Sequence, residues 1–313
     1  VVTGEFGWDQ GMFSIIGATC AAGKLLGLNQ EQMGHAISLA IAPNLPLGVT
    51  RTGELSMWKG CATATATRAG IFAAQLAQQG MTGPNEPFEG RRGLWEQALG
   101  NTVNIPSFQK SRGSDDFRIL ETTFKSYPSQ IHTQAPIGVA LELHLQVSPE
   151  KITSVLIQSY DGAVSSPATE PQKWDPKTRE TADHSIPYLV AVALRYGSVD
   201  AGSFTSERIH DPALRTLMAK FTMEEIPDFT TRYPEEFNCR IQVTDDAGKI
   251  YEAHTRYPKG HRHNPLDDRQ VEAKFRGLAA DVVSAKQCDR VLEQVWGLDD
   301  APNLDSLFDS MVI

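Results

Sequence analysis

The feature that most constrains this fold is a change of apolar period partway along the chain. From about Met12 to Leu28 small residues recur at close spacing (Gly17, Ala18, Ala21, Ala22, Gly23), a composition that lets helix backbones approach one another. Asn29, with Gln32 three residues on, opens a second helix as a capping box does; apolar Met33, Ile37, Leu39 and Ile41 follow, and Pro43 stops the run. A third, Ala- and Thr-rich run from about Ser56 to Gln79 closes on Gly80. Residues 1 to about 112 therefore read as helical throughout, up to the polar linker Ser111-Arg112-Gly113-Ser114-Asp115-Asp116.

Beyond that linker strands enter. Ile152 to Tyr160 is rich in β-branched residues, and Cys239, Ile241 and Val243 alternate with Arg240, Gln242 and Thr244 before Asp246-Ala247-Gly248 turns the chain into a return strand through Ile250 and Ala253. Helices between these strands begin near His184 and at Asp211-Pro212, where an N-cap precedes a proline at the first helical position. From about Leu266 Val271, Phe275, Leu278 and Val282 return to helical spacing. The expected architecture is mainly α with a smaller α+β domain: a helical domain over residues 1–112, an α+β domain over 113–264 and C-terminal helices over 265–313.

Composition narrows the function. A chain of 313 residues with 41% apolar and 21% charged residues can bury an ordinary core as one large or two medium domains. Its formal charge of -9 argues against a nucleic-acid surface, because that affinity rests on cations. Cys20, Cys61, Cys239 and Cys288 are dispersed and form no C-x-x-C pair, so no zinc or iron–sulfur ligand run is visible and a reducing compartment fits, the cytoplasm or alternatively the mitochondrial matrix. No apolar run reaches the length of a membrane span. Val1-Val2-Thr3-Gly4 has neither an initiator Met nor a signal-peptide layout, and reads as a cleavage point, a trimmed start or the edge of an ordered region. Phosphate loops and a G-x-S-x-G elbow are absent, which removes nucleotide-dependent and serine-hydrolase readings.

Several ordered stretches carry a resemblance: A-A-G-K-L-L-G-L (Ala21 to Leu28), W-K-G-C-A-T-A-T-A-T-R-A-G-I-F-A-A-Q-L-A (Trp58 to Ala77), K-S-Y-P-S-Q-I-H-T-Q (Lys125 to Gln134), D-H-S-I-P-Y (Asp183 to Tyr188) and R-Y-P-K-G-H (Arg256 to His261). In this set the chain resembles the MmgE/PrpD family of metal-independent lyases. The resemblance implies a large helical domain, a smaller α+β lid, a site in the cleft between them, a homodimer and no cofactor. In such proteins the helical domain begins well before the equivalent of Val1, and an active-site Asp and His lie in that earlier part. The function implied is a carbon–oxygen lyase that dehydrates 2-methylcitrate or a related polycarboxylate; a cis-aconitate-type decarboxylase or an epimerase on the same scaffold, or a non-catalytic helical assembly module, are the alternatives.

Dehydration of a hydroxy polycarboxylate needs a base, an acid and cations. Matching to the family motif puts Lys59 where a carboxylate-binding or proton-handling lysine is expected; the plainer reading is a snorkelling lysine at a helix start. His132 follows Pro128 near an expected helix start and is the first candidate for proton transfer, with Lys125, Gln130 and Gln134 beside it as substrate contacts; its placement two residues before Gln134 follows the dehydratase-like pattern. A lone His at a helix start is otherwise a cap or a surface group. Tyr188 matches a family position that offers a phenol to the cleft, with His184 one turn earlier, and its plain alternative is a core aromatic with a satisfied hydroxyl. In Trp8-Asp9-Gln10, Gln10 departs from the Trp-Asp-His of dehydratase-like members, and Asp9 either orients a partner or caps the first helix. Arg51 is a loop arginine able to clamp a carboxylate. Lys259-Gly260-His261-Arg262-His263 is the strongest local positive patch, and without zinc spacing it is read as a cleft-rim segment; activity is expected to survive chelation.

Overall fold

The structure, a computed structural model, describes residues 7–100, 103, 118–165 and 169–313; the expected linker Ser111 to Asp116 and the opening Val1 to Gly4 lie outside them. The chain divides into two compact units, Val1–Ser111 and Arg112–Ile313.

The first unit is helical. Helices α1 (Gly11–Leu25), α2 (Gln30–Ile41) and α3 (Trp58–Gln78) pack on one another, and a short α4 (Leu94–Leu99) clusters its Leu94, Ala98 and Leu99 with Met12 and Ile41. Small residues set the α1/α3 distance: a Cβ on Gly70 would lie 2.7 Å from the carbonyl oxygen of Ile15 and 3.0 Å from Ala18. The same economy makes the buried seams alanine-rich, with Ala36, Ala40, Ala73, Ala74 and Ala77 inside. The capping box of α2 is formed in both directions, Gln32 N donating to Asn29 Oδ1 at 2.9 Å and Asn29 N to Gln32 Oε1 at 3.1 Å. Helix α1 stops three residues before the expected Leu28, because Gly27 takes φ +71°. The unit is also less uniformly helical than the spacing suggests. Pro43 and Pro46 break the chain after α2, and Trp8 there makes an isolated antiparallel bridge with Leu47 before a 3-10 turn over Gly48–Arg51.

The second unit is built on a four-stranded sheet, order β2-β1-β3-β4, from β1 (Ile152–Ser159), β2 (Phe221–Glu225), β3 (Cys239–Asp245) and β4 (Ile250–Thr255). The β3–β4 hairpin is present as read, with Cys239, Ile241 and Val243 facing the core. Strand β2 escapes sequence reading: it has five residues, ends in Glu224-Glu225, and pairs parallel to β1 at the sheet edge, Ile157 opposite Met223. Two helices bury against this core, α5 (Gln134–His144) and α6 (Ile186–Tyr196), the latter enclosed over every residue from Ile186 to Leu194. Asp211 caps the helix Pro212–Met218 through a 2.8 Å bond from Ala213 N. The tail is three helices rather than one run: α7 (Asp268–Ala279), α8 (Ala285–Trp296) and α9 (Asp305–Met311), with Val282 in the break between the first two. Arg276 pairs with Asp289 at 2.7 Å, and Trp296 donates to Glu272 at 2.9 Å, tying α7 to α8.

Candidate active site

In the second unit the segment Lys125 to Gln134 is wound tightly by its own polar groups. The buried Gln134 amide accepts from Tyr127 N at 3.0 Å and donates to Ser129 Oγ at 2.9 Å and Tyr127 O at 3.1 Å. Gln130 accepts from His132 N at 2.6 Å and hangs by its own N–H from the carbonyl of Asp183 at 2.9 Å. Lys125 Nζ donates to Ser129 O at 3.0 Å. Helical structure starts at Ile131 as a 3-10 turn leading into α5, three residues later than Pro128 suggested, because Gln130 and not the proline caps it.

His132 stands in an aromatic box. Its Nδ1 lies 2.5 Å from the hydroxyl of Tyr160, the residue that follows β1. Tyr160 stacks on Tyr233 at 4.6 Å between ring centroids, and Phe237 meets Tyr160 edge-on at 5.9 Å. Gly162 backs the imidazole, where a Cβ would sit 3.6 Å from His132 Cε1. Burial, and after it the charge of nearby His184, pulls the His132 pKa from 6.5 down to about 4. Burial pushes the Tyr160 phenol well above its ordinary range, helped by Tyr233 and Cys239.

His184 Nδ1 is bonded to the Asp183 carboxylate, and His184 sits just outside α6, since Ser185 is that helix's N-cap. Behind Asp183 lies Lys173, 2% exposed, with Nζ 3.6 Å from Glu170 Oε2. Burial lowers its pKa although Glu170 and Asp183 both oppose the shift. Tyr188 does not join the His132 box: it is fully enclosed in the core, and its hydroxyl donates to the carbonyl of Ser203 at 2.6 Å.

The loop after β4 supports the segment from the other side. Phe124 N donates to Gly260 O at 2.9 Å and Ser126 Oγ to Lys259 O at 2.7 Å. His261 is buried against Tyr257 and Phe237, and Arg262 is spent on Glu235 at 2.5 Å and Glu121 at 3.7 Å. Within the positive patch read from the sequence, Arg262 is thus neutralised locally. Among the described residues no group of three His, Cys, Asp or Glu side chains is placed to hold a metal ion.

In the first unit Asp9 and Arg51 find each other. Arg51 Nε donates to Asp9 Oδ2 at 2.5 Å, while Asp9 Oδ1 accepts from Gly11 N at 2.8 Å at the start of α1. Asp9 thus accepts from the first residue of α1 and from Arg51, while the N-cap position itself is Gln10, without a side-chain bond. Lys59 is the second residue of α3 and half-buried, next to Trp58. Trp58, Asn44, Glu54, Ser56 and Thr65 line a cavity of about 660 Å³ in this unit.

Sequence reading missed Tyr160, Asp183 and Lys173. Tyr160 was legible only as the end of a strand, and nothing in its neighbours tells that its hydroxyl meets a histidine 28 residues upstream. Asp183 opens the D-H-S-I-P-Y stretch, and its adjacency to His184 was the available signal.

Residues 3–105 match the MmgE/PrpD N-terminal domain and residues 127–298 the MmgE/PrpD C-terminal domain. The chain is similar to the 2-methylcitrate dehydratase of Salmonella typhimurium, 26% identical over 305 residues that cover 92% of this chain and 61% of that protein. It is also similar to the cis-aconitate decarboxylase of Mus musculus, 25% identical over 300 residues covering 91% of this chain and 58% of that protein. The 2-methylcitrate dehydratase of Escherichia coli strain K12 is 25% identical over 304 residues. The chain spans about three fifths of the length of these relatives.

Proposed function

This chain belongs to the MmgE/PrpD family, and on that footing we propose that it is part of a hydro-lyase that dehydrates 2-methylcitrate or a related hydroxy polycarboxylate. The observation that carries the reading is His132, a histidine in the Pro-Ser-Gln-Ile-His pattern held half-buried among aromatic rings. A carboxylate-bearing substrate needs groups that meet developing charge away from bulk water, where they act most strongly. Lys59 and His132 are the side chains assigned to substrate charge and proton handling, with Arg51, Lys125 and His184 as further contacts to carboxylates. Asp9, Gln130 and Gln134, whose polar atoms are engaged within the fold, hold Arg51 and the His132 segment in place, while Tyr188 anchors the turn at Ser203.

The reading extends to a metal-independent, homodimeric protein of the cytoplasm or mitochondrial matrix, with residues 113–264 acting as a lid domain. Among the described residues no helix is long and apolar enough to cross a membrane. The test is direct: the purified protein is given 2-methylcitrate with and without a chelator, and the unsaturated product is followed by its absorbance. Turnover that survives chelation is expected; loss of turnover with chelator and recovery with added metal overturns metal independence, and no product from any hydroxy polycarboxylate overturns the hydro-lyase. Similarity to a cis-aconitate decarboxylase at nearly the same identity favours a second reading, in which carbon dioxide is released from an unsaturated tricarboxylate. Labelled carbon dioxide from that substrate, without dehydration of 2-methylcitrate, would select it.

A further inference from the structure

The bond between His132 and Tyr160 decides which nitrogen of the imidazole carries the proton. We infer that Tyr160 is a positioning residue that fixes His132 as the neutral Nε2–H tautomer, so that His132 meets a substrate carboxylate as a hydrogen-bond donor and not as a base. The first half stands on geometry alone; the second rests on the proposed lyase reading.

The phenol of Tyr160 is 1% exposed and its oxygen lies 2.5 Å from His132 Nδ1, with no other acceptor bonded to that hydroxyl among the described residues. Two arrangements are possible. If Nδ1–H donated to the phenol, the phenolic proton would be buried without an acceptor, a costly outcome. If the phenol donates to Nδ1, both groups are satisfied, and the ring proton is confined to Nε2. A charged imidazolium would carry protons on both nitrogens and restore the orphan. The surroundings disfavour it too, since the box is made of Tyr160, Tyr233 and Phe237, and the nearby titratable groups are His184, itself bonded to Asp183, and Cys239 behind Tyr160. Neutral imidazole then presents Nε2–H as a fixed donor, the same logic by which a neutral histidine stabilises an enolate without giving up its proton. Proton removal from the carbon next to the carboxylate falls to a different side chain.

The test is long-range proton–nitrogen NMR on the protein labelled in histidine, from pH 5 to 8. His132 should show an unprotonated Nδ1 and a protonated Nε2 throughout. In Tyr160→Phe the Nδ1–H form should appear, while the low titration midpoint, set by burial and His184, should persist. An Nδ1–H tautomer in the unmodified protein overturns the assignment whatever the activity. For the donor role, His132→Gln places an amide N–H near the same point and should keep turnover within about tenfold, whereas His132→Ala should lose about 10²–10³-fold. Equal, larger losses in both would overturn the donor role and restore a base. The Nε2–H tautomer without lyase turnover leaves the positioning role standing and overturns only the functional reading.

Discussion

Arg51 and Asp9, 42 positions apart, form one pair: the half-buried guanidinium reaches the carboxylate at 2.5 Å while that carboxylate, with a side chain 0% exposed, also accepts from Gly11 N at the start of α1. Removing only Arg51 leaves a buried carboxylate without its cation. Arg51→Ala should therefore destabilise the chain by about 3 kcal/mol, and Asp9→Ala with Arg51→Ala should cost less than the sum of the singles. Urea denaturation of the four proteins in the cycle checks this; additive losses would mean that the pair is not coupled.

Gly260 is the glycine the fold can least exchange. It takes φ +93°, and a Cβ there would fall 1.9 Å from the carbonyl oxygen of Phe124. Gly260→Ala must break the bond that holds the Lys125 to Gln134 segment, and a loss above about 3 kcal/mol is expected. Gly162→Ala is the contrast, since its Cβ would make ordinary contacts at 3.5 Å to Tyr160 and 3.6 Å to His132. That variant should stay within about 0.5 kcal/mol of the parent. Similar unfolding midpoints for the two would show that the tight turn at Gly260 is not required.

The depressed pKa of His132 fixes a direction for acid sensitivity. As pH falls below 6.5 the unfolded chain takes up a proton that the folded chain refuses until about 4. The stabilising contribution is thus fully present above pH 6.5 and is lost as pH falls through that window, by at most about 3 kcal/mol. Burial lowers His254 and His261 as well, so they act in the same sense. Unfolding free energies at pH 7, 6 and 5 should decline, and His132→Asn should flatten the decline. A slope unchanged by that substitution would mean that His132 titrates normally in the folded state.

The parts of this fold that were legible in the sequence are those set by local rules. The Asn29–Gln32 capping box, the β3–β4 hairpin and the Asp211-Pro212 helix start all depend on residues within a few positions of each other. What escaped was long-range: β2 is a five-residue edge strand whose partner lies about 65 positions earlier, so neither length nor alternation marks it. The same holds for chemistry. His132 stood out because histidine is the side chain most easily tuned near neutral pH, but its tautomer is dictated by Tyr160 and its low pKa by burial, neither of which leaves a mark beside it in sequence. Lys173 shows the converse, an ordinary-looking lysine in Pro-Gln-Lys-Trp that proves to be buried against Glu170.

Tyr188 offers the sharpest division between family carry-over and the fold. The matched motif assigns its phenol to substrate, yet the ring is fully enclosed and the hydroxyl donates at 2.6 Å to Ser203, which sits in a 3-10 turn capped by Asp200. Burial drives its pKa upward, so the group is a donor at any working pH. Tyr188→Phe deletes that donor and leaves a buried carbonyl unpaired, which should cost about 1–3 kcal/mol of stability. A group that only holds the Ala201–Phe204 turn has no reason to change the chemical step, so kcat should stay within about twofold while the unfolding midpoint falls. A kcat reduced by about 100-fold or more at unchanged stability would instead place the phenol on the substrate, and the turn would have to find another donor when substrate binds.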